Sequence, residues 1–592
     1  MPPEQPPAPP IPHALVGPRG PHWGAALLAW LRHDLPIILC LMCAATLVIL
    51  PVLANPRTQI IGWYGDNVQF VYVTGWMSQA LLLGESPFVD PRLNYPGDLT
   101  LAVTDIPYLS IILAAPVTWL AGPVFTYNLL LWLYIWLSGY VVYRWLWQIT
   151  RSRGGALVGG LIFVLTPYRV AHSYGHMPYV ATYALPLFFW ALDTALRARL
   201  RWWWRGLLVF GATALVGSAS QYYLFMSLFL GVLYALLMLL PLLRQPSLAL
   251  TRSLAVAPAV LAGAVLGAAP FLANLGNRTF AAHDLQATRI WSLDPLNFIL
   301  PHKLHPLWGD LVEQVRPEPL WIEKTLYLGI VALILAGLAW RWQPHPYPPQ
   351  RWIWLGVAVG SAILALGTDL HLNNQPLSAD DPVWLPAYYL AQLPFTGLVR
   401  GWGRFGIITV LFVSLLAGLG ATWLIQQARA RRPQQRYLPR LVTAGLCLLV
   451  VLDMHPGTVE TSTLTPRPID MWLAAQPDDF AVAWLPAGLD AVNYPAMYGS
   501  LYHSKHLPAY NHPNHRQPEY QQYAAIATAF PQPEAVAQLR AMGLRYILID
   551  TRFYDGQHPP LPLWADFEAQ LRATPGLRVV EQVDGVVVVA VE

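Results

Sequence analysis

The chain has 592 residues, 55% of them hydrophobic and 11% charged, with a mean hydropathy of +0.40 and a formal net charge of +4. An ordinary soluble domain carries roughly 25% charged residues, so a water-soluble globule of this length is excluded, and so is disorder of the bulk of the chain. The small net charge argues against a nucleic acid partner.

Residues 1–34 open with the Pro-rich MPPEQPPAPPIPHALVGPRG, which predicts a disordered cytoplasmic arm. The apolar run 35–54 predicts an uncleaved membrane anchor. Further apolar runs lie at 124–147, 155–168, 178–196, 206–219, 222–241, 254–272, 326–341, 352–366, 405–425 and 440–453. Together they predict about eleven transmembrane helices, several of them shorter than the ~20 residues a perpendicular crossing needs. Segment 107–123 is apolar too, but Pro107, Pro116 and Pro123 interrupt it, which predicts a re-entrant or interfacial helix.

Charge sets the orientation. The connections 148–154, 197–205, 242–253, 341–351 and 426–440 hold 15 arginines and no Asp or Glu. By the positive-inside rule these face the cytoplasm. Loops 55–123, 273–325 and 369–404 then lie outside, together with the tail. The tail, 454–592, predicts a small α/β domain, with strand-like 480–485, 545–550 and 585–591 and helix-like 533–542. The expected fold class is therefore a polytopic α-helical membrane protein: a membrane domain over 35–453, with first outer loop 55–123, and an extracytoplasmic α/β domain. Cys40, Cys43 and Cys447 all sit in apolar runs, a pattern that fits neither a disulfide framework nor a zinc site.

The first outer loop begins WYGDNVQF. A lone carboxylate such as Asp66 is costly at an apolar interface unless it is paired or used. It also stands where a helix cap would, ahead of the helix-patterned 68–83. Trp63 and Asn67 beside it are candidate substrate contacts. NYPGDLTLAVTDIPY adds Asp98 and Asp105, which read first as turn and cap residues and second, with Asp66, as ligands for a divalent metal. In TPYRVAHSYGHMPY, Arg169, His172 and His176 stand three and then four apart, which places them on one face of a helix. A cation and two imidazoles gathered in this way suit a phosphate or carboxylate. LPFTGLVRGWGRF offers Arg400 and Arg404, again four apart, beside glycines that let a ligand approach. Gln221 and Tyr222, at a tight turn between spans, have the groups to hydrogen-bond a sugar. Asn277, Arg278, His283, Asp284 and Arg289 show no telling spacing. YHSKHLPAYNHPNHR, 502–516, reads as a solvated loop, with metal binding the weaker alternative.

These motifs (GDN and NYPGDL in the first outer loop, RVAHSYGHMP, and RGWGRF before a late span) resemble the GT-C superfamily of membrane glycosyltransferases over approximately residues 35–425. That superfamily includes protein O-mannosyltransferases and aminoarabinose transferases acting on lipid A. The resemblance implies a donor sugar linked to polyprenyl phosphate and a hydroxyl acceptor on a protein, lipid or glycan. It also implies inverting transfer, with Asp66 as general base and Arg400, Arg404, Arg169 and His176 around the departing phosphate. The acidic pair common in that first loop is absent, since Asn67 follows Asp66, so metal dependence stays open. Two other readings remain: a transporter or flippase of lipid-linked sugars, and a non-catalytic accessory membrane protein of envelope polysaccharide assembly. Transporters place ionisable groups near mid-membrane and often carry repeats; here the polar groups gather at one face and no repeat is visible.

Overall fold

The computed structural model describes residues 23–592 except 103, 198–199, 242–245, 275–287, 343–349, 379–381, 394–398 and 514–515. Of the arm expected at 1–34, residues 1–22 lie outside the described part, and from Trp23 the chain is already helical, running through Pro36 to Ile49. Asn277, Arg278, His283 and Asp284 also lie outside it.

The chain is mostly helical, at 63%. Five helices are long and apolar enough to cross a membrane: Asp34–Ala54, Pro123–Thr150, Arg153–His172, Gln221–Leu239 and Trp402–Arg431. Ala184–Leu196 and Ile330–Arg341 are apolar but shorter, and the apolar stretch Val256–Gly267 is the end of the 22-residue helix Pro246–Gly267. Gln350–Ala365 and Leu438–Asp453 have 16 residues each. That is about 24 Å of helix, short of the ~30 Å hydrocarbon core. Among the described residues, then, fewer helices reach full spanning length than the apolar runs suggested. Segment 107–123 forms two short helices, Tyr108–Leu113 and Ala115–Ala121, interrupted at Ala114 just ahead of Pro116.

Consecutive helices turn back on one another, so polar contacts collect at two ends of the bundle. At one end Arg197 holds Asp193, which also accepts from the Tyr234 hydroxyl at 2.7 Å. At the other, the backbone N–H of Gly401 donates to the Tyr222 hydroxyl at 2.8 Å, and Asp105 accepts from Ser220 and from the N–H of Gln221. The helices Arg153–His172 and Trp402–Arg431 run through the middle, almost wholly enclosed by protein.

The tail carries a four-stranded sheet in the spatial order Ala481–Leu485, Leu544–Asp550, Val586–Val591, Leu577–Val583, with only the first pair parallel. The central strands are apolar at nearly every position because both sheet faces are covered. On one face Ala483, Ile547, Ile549 and Val589 pack with Tyr523, Leu539 and Phe567 of the tail's own helices. On the other, Val482, Leu548 and Val588 join the core that continues into the membrane bundle. Two further contacts bind the tail to the first loop. Gln59–Ile61 pairs antiparallel with Thr461–Thr463, and the helix Asp490–His503 lies across Asp66–Leu83. There a methyl on Gly75 would stand 2.5 Å from Leu501 Cδ1, so the missing side chain leaves room for Leu501 to pack against this helix.

Candidate functional site

The site is built where the first loop, the turn after residue 172, the segment 321–324 and the tail converge. Helix Asp66–Leu83 starts at Asp66, but the capping expected of Asp66 is done by Asn67. The Asn67 Oδ1 accepts from the N–H groups of Gly65 and Val68 at 3.0 and 2.9 Å, while its Nδ2 donates to the Ile61 carbonyl at 2.7 Å. Asn67 is therefore spent on backbone rather than offered to a substrate. This leaves Asp66 with its side chain 29% exposed.

Three side chains surround that carboxylate. The Tyr494 hydroxyl donates to Oδ1 at 2.8 Å, while the Nε2 atoms of His176 and His512 stand 3.8 and 3.9 Å from Oδ2. The chain can bring His176 this close because Gly175 precedes it: a Cβ there would be 3.3 Å from the Asp66 Cβ. Burial pushes His176 and His512 below the ordinary histidine value despite their acidic neighbours, so both rings are neutral at pH 7. Burial, and then Asp66, push the Tyr494 phenol up, which keeps its proton in place as a donor.

Behind His176 lies a second layer. Its Nδ1 is 2.9 Å from the Nδ1 of His172 and 3.6 Å from Glu323. Glu323 in turn binds Arg404 through both oxygens, at 3.0 Å from Nε and 2.5 Å from Nη2. Arg404 Nη1 donates to the Tyr179 hydroxyl at 2.6 Å, and the guanidinium stacks over the Tyr179 and Tyr222 rings. Burial would raise the Glu323 carboxyl, but Arg404, then His176 and His172, outweigh it and hold the group below the ordinary carboxylate range.

The residues singled out from the sequence thus divide. Asp66, His176, His172, Arg404 and Tyr222 come together. Arg400 faces the same space: its charge acts on both His176 and His512, it stacks on Trp291, and it makes no ion pair among the described residues. Trp63 is 48% exposed next to Asp66, packed at one edge on Tyr174. Arg169 departs from its expected place. The helix ends at His172, so Arg169, His172 and His176 do not share one helical face. Arg169 is fully buried against the Phe163 ring, with no hydrogen-bond partner for its guanidinium among the described residues. Gln221 gives its amide to the carbonyls of Gly217 and Gly267. Asp105 caps the helix Gln221–Leu239 from across the loop, and burial pushes its carboxyl up. Asp98 is exposed on the turn of residues 94–98 and stands outside the cluster.

Glu323, Tyr494 and His512 were not singled out from the sequence. Glu323 carried a weak signal, as an acid next to an apolar run. Tyr494 carried none. His512 belongs to the stretch expected to be a solvated loop, yet His503 of that stretch is buried and His512 lies against Asp66.

His172, His176 and Glu323 offer ligand atoms within 4.8 Å of one another. They fit a metal poorly as they stand: Arg404 occupies both Glu323 oxygens, and the two Nδ1 atoms face each other at hydrogen-bond distance. Neither Asp98 nor Asp105 joins Asp66 in a ligand set.

A family model described as "Domain of unknown function (DUF6311)" matches residues 37–455. No curated protein matches the chain. Among solved structures, ArnT from Cupriavidus metallidurans bound to undecaprenyl phosphate is similar at 11% identity and a TM-score of 0.47, covering 95% of this chain and 98% of that one. The archaeal oligosaccharyltransferase AglB from Archaeoglobus fulgidus, in complex with an inhibitory peptide and a dolichol-phosphate, is similar at 10% identity and a TM-score of 0.46, covering 95% and 75%. The A. fulgidus enzyme is also similar in a complex with Zn and sulfate, at 9% identity and a TM-score of 0.46, covering 94% and 73%. These neighbours are GT-C membrane glycosyltransferases, the superfamily the sequence motifs resemble.

Proposed function

The chain belongs to the DUF6311 family, and from that premise we propose that it transfers a sugar from a polyprenyl-phosphate-linked donor to an acceptor hydroxyl, with inversion. The supporting observation is a partly exposed carboxylate, Asp66, and a guanidinium, Arg400, without an ion pair among the described residues, whose charges both act on the same two imidazoles, His176 and His512. Oδ1 of Asp66 is held by Tyr494, which leaves Oδ2 to take the proton of an acceptor hydroxyl as it attacks the anomeric carbon. The bond to the phosphate breaks on the opposite side. Arg400 meets the charge that develops there, and a preorganised cation at that point is a large catalytic term. Trp63 presents an apolar ring face of the kind sugars stack on. Arg404, bound to Glu323, fixes Tyr179 and Tyr222 instead of meeting the phosphate itself. No step is routed through a metal.

The site lies beyond the outer leaflet in this reading, with the arginine-rich connections in the cytoplasm, a membrane unit over 35–453 of about eleven crossings and the α/β tail outside. The lipid tail of the donor then occupies bilayer while its phosphate sits at the interface. The test is turnover of a labelled polyprenyl-phosphate sugar by the purified protein in detergent, where transport has no compartment to act across. Wild-type protein should release polyprenyl phosphate, and Asp66→Asn should lose that release by about 10²–10⁴-fold while melting as wild type does. An Asn variant as fast as wild type would remove the assigned base.

A further inference from the structure

We infer that the tail completes the Asp66 site, with Tyr494 positioning the carboxylate and His512 receiving from it the proton taken from the acceptor. This rests on the glycosyl-transfer reading above and extends it to residues of the C-terminal segment.

The geometry separates the two carboxylate oxygens. Oδ1 accepts the Tyr494 hydroxyl at 2.8 Å, which fixes the plane of the group. Oδ2 stands 3.8 Å from His176 and 3.9 Å from His512, beyond hydrogen-bond reach of either, so it keeps a lone pair for an incoming hydroxyl. Once protonated, Oδ2 needs a shift of only about 1 Å to hydrogen-bond one of the imidazoles.

The two rings differ in where they lead. Behind His176 lies the buried layer of His172 and Glu323, and among the described residues the Nε2 of His172 has no partner there. A proton passed inward ends on that layer. His512 is 25% exposed against 22% for His176, but unlike His176 it does not contact His172 or Glu323 among the described residues, so a proton it receives goes toward solvent rather than into that layer. Among the described residues the charged and titratable groups acting on it include Asp66, Arg400, His176 and Asp490, and burial pushes the ring below the ordinary histidine value. The step balances. The acceptor oxygen bonds to the anomeric carbon, and the carbon–phosphate oxygen bond breaks with its electron pair going to the phosphate. The hydroxyl proton moves to Asp66 Oδ2, then to His512 Nε2, then to water, and the carboxylate is restored.

Neighbouring residues pin both side chains in place. Asn511, next to His512, is buried and donates to the Thr104 hydroxyl of the first loop at 2.9 Å. Asn493, next to Tyr494, donates to the Tyr510 carbonyl at 2.8 Å and accepts its N–H at 3.1 Å. Leu93 and Leu507 form a parallel bridge nearby. The phenol, the imidazole and the carboxylate are thus one assembly drawn from three parts of the chain.

The test uses the full-length protein in detergent with two independent readouts. In turnover of the labelled donor, Tyr494→Phe should lower kcat about tenfold or more with donor KM within about twofold. His512→Ala should lower kcat about 10–100-fold, lose the acid limb of the kcat/KM profile that belongs to His512, and recover with added imidazole. Loss confined to KM, or an Ala variant that imidazole does not rescue, would overturn the assignment. The second readout needs no turnover: the pH midpoint of diethylpyrocarbonate modification at His512, followed by mass spectrometry, should fall in Asp66→Asn because the facing carboxylate charge is gone. An unmoved midpoint overturns the inference whatever the turnover. A midpoint that moves in a protein that consumes no lipid-linked sugar upholds the coupling of tail and carboxylate, and it is the glycosyl-transfer reading that then fails.

Discussion

Replacing Glu323 by Gln keeps the shape of the side chain and removes its charge. Arg404 and Glu323 have side chains only 9% and 8% exposed and are joined by two hydrogen bonds. Breaking a buried pair on one side strands the other charge, at a cost of about 3–5 kcal/mol. The Tyr179 and Tyr222 rings over the guanidinium do not reduce that figure, since they are present before and after the change. The double variant Glu323→Gln with Arg404→Met removes both charges, so it should recover part of the loss, with a coupling of about 0.5–3 kcal/mol. Thermal and denaturant melts of the four proteins in one detergent supply the cycle. A Glu323→Gln single variant within about 0.5 kcal/mol of wild type would refute the view that this pair holds the second layer of the site together.

Three further expectations can be checked with the same purified protein. Arg400→Ala should lower kcat/KM for the donor about 10–100-fold, since a charge-assisted contact to phosphate is worth about 1.5–3 kcal/mol, while melting is unchanged because among the described residues Arg400 stacks on Trp291 without an ion pair; an unchanged kcat/KM places the phosphate elsewhere. His302 is buried with Nε2 toward the His455 carbonyl, and burial pushes it down to about 3. Its folded value lies below the unfolded one of about 6.5, so its contribution is fully present above pH 6.5 and fades as pH falls from there toward 3, by up to about 1.4 kcal/mol per pH unit. His302→Gln should flatten that limb of the stability curve, and a variant that loses stability as steeply as wild type contradicts this. Gly75→Val should lift the helix Asp490–His503 from the first loop at a cost of about 1–3 kcal/mol, read as faster protease release of residues 454–592; unchanged release would refute the close contact.

What the sequence disclosed follows from which interactions are local. Apolar runs announce the helices because each buries its own length, and so 123–150 and 402–431 were legible from composition. The sheet of the tail was half legible: three of its four strands read as apolar runs and Leu577–Val583 did not, and that one face would merge with the bundle core depends on packing that no short window contains. At 166–179 the spacing of Arg169, His172 and His176 suggested a single helix, and Ser173–Gly175 ended it, with Gly175 and Pro178 as the overlooked breakers. The two imidazoles met all the same because one further turn, closed by the His176 N–H on the His172 carbonyl at 2.8 Å, keeps them four residues apart on the same side, while Arg169 stayed with Phe163. Asp66 stood out as a lone acid, and its cap proved to be the task of Asn67. Tyr494 lies 428 residues away from Asp66 along the chain. Glu323 and His512 are likewise remote, and no motif binds any of them to GDN. They become neighbours only when the tail folds back over the first loop.

The most direct measurement is a structure of the full-length protein with an added polyprenyl phosphate. The account predicts phosphate density within ion-pair reach of Arg400, in the cleft that Asp66, His176 and His512 line. Phosphate bound at the Arg197 end of the bundle, with the Asp66 cleft empty, would contradict it.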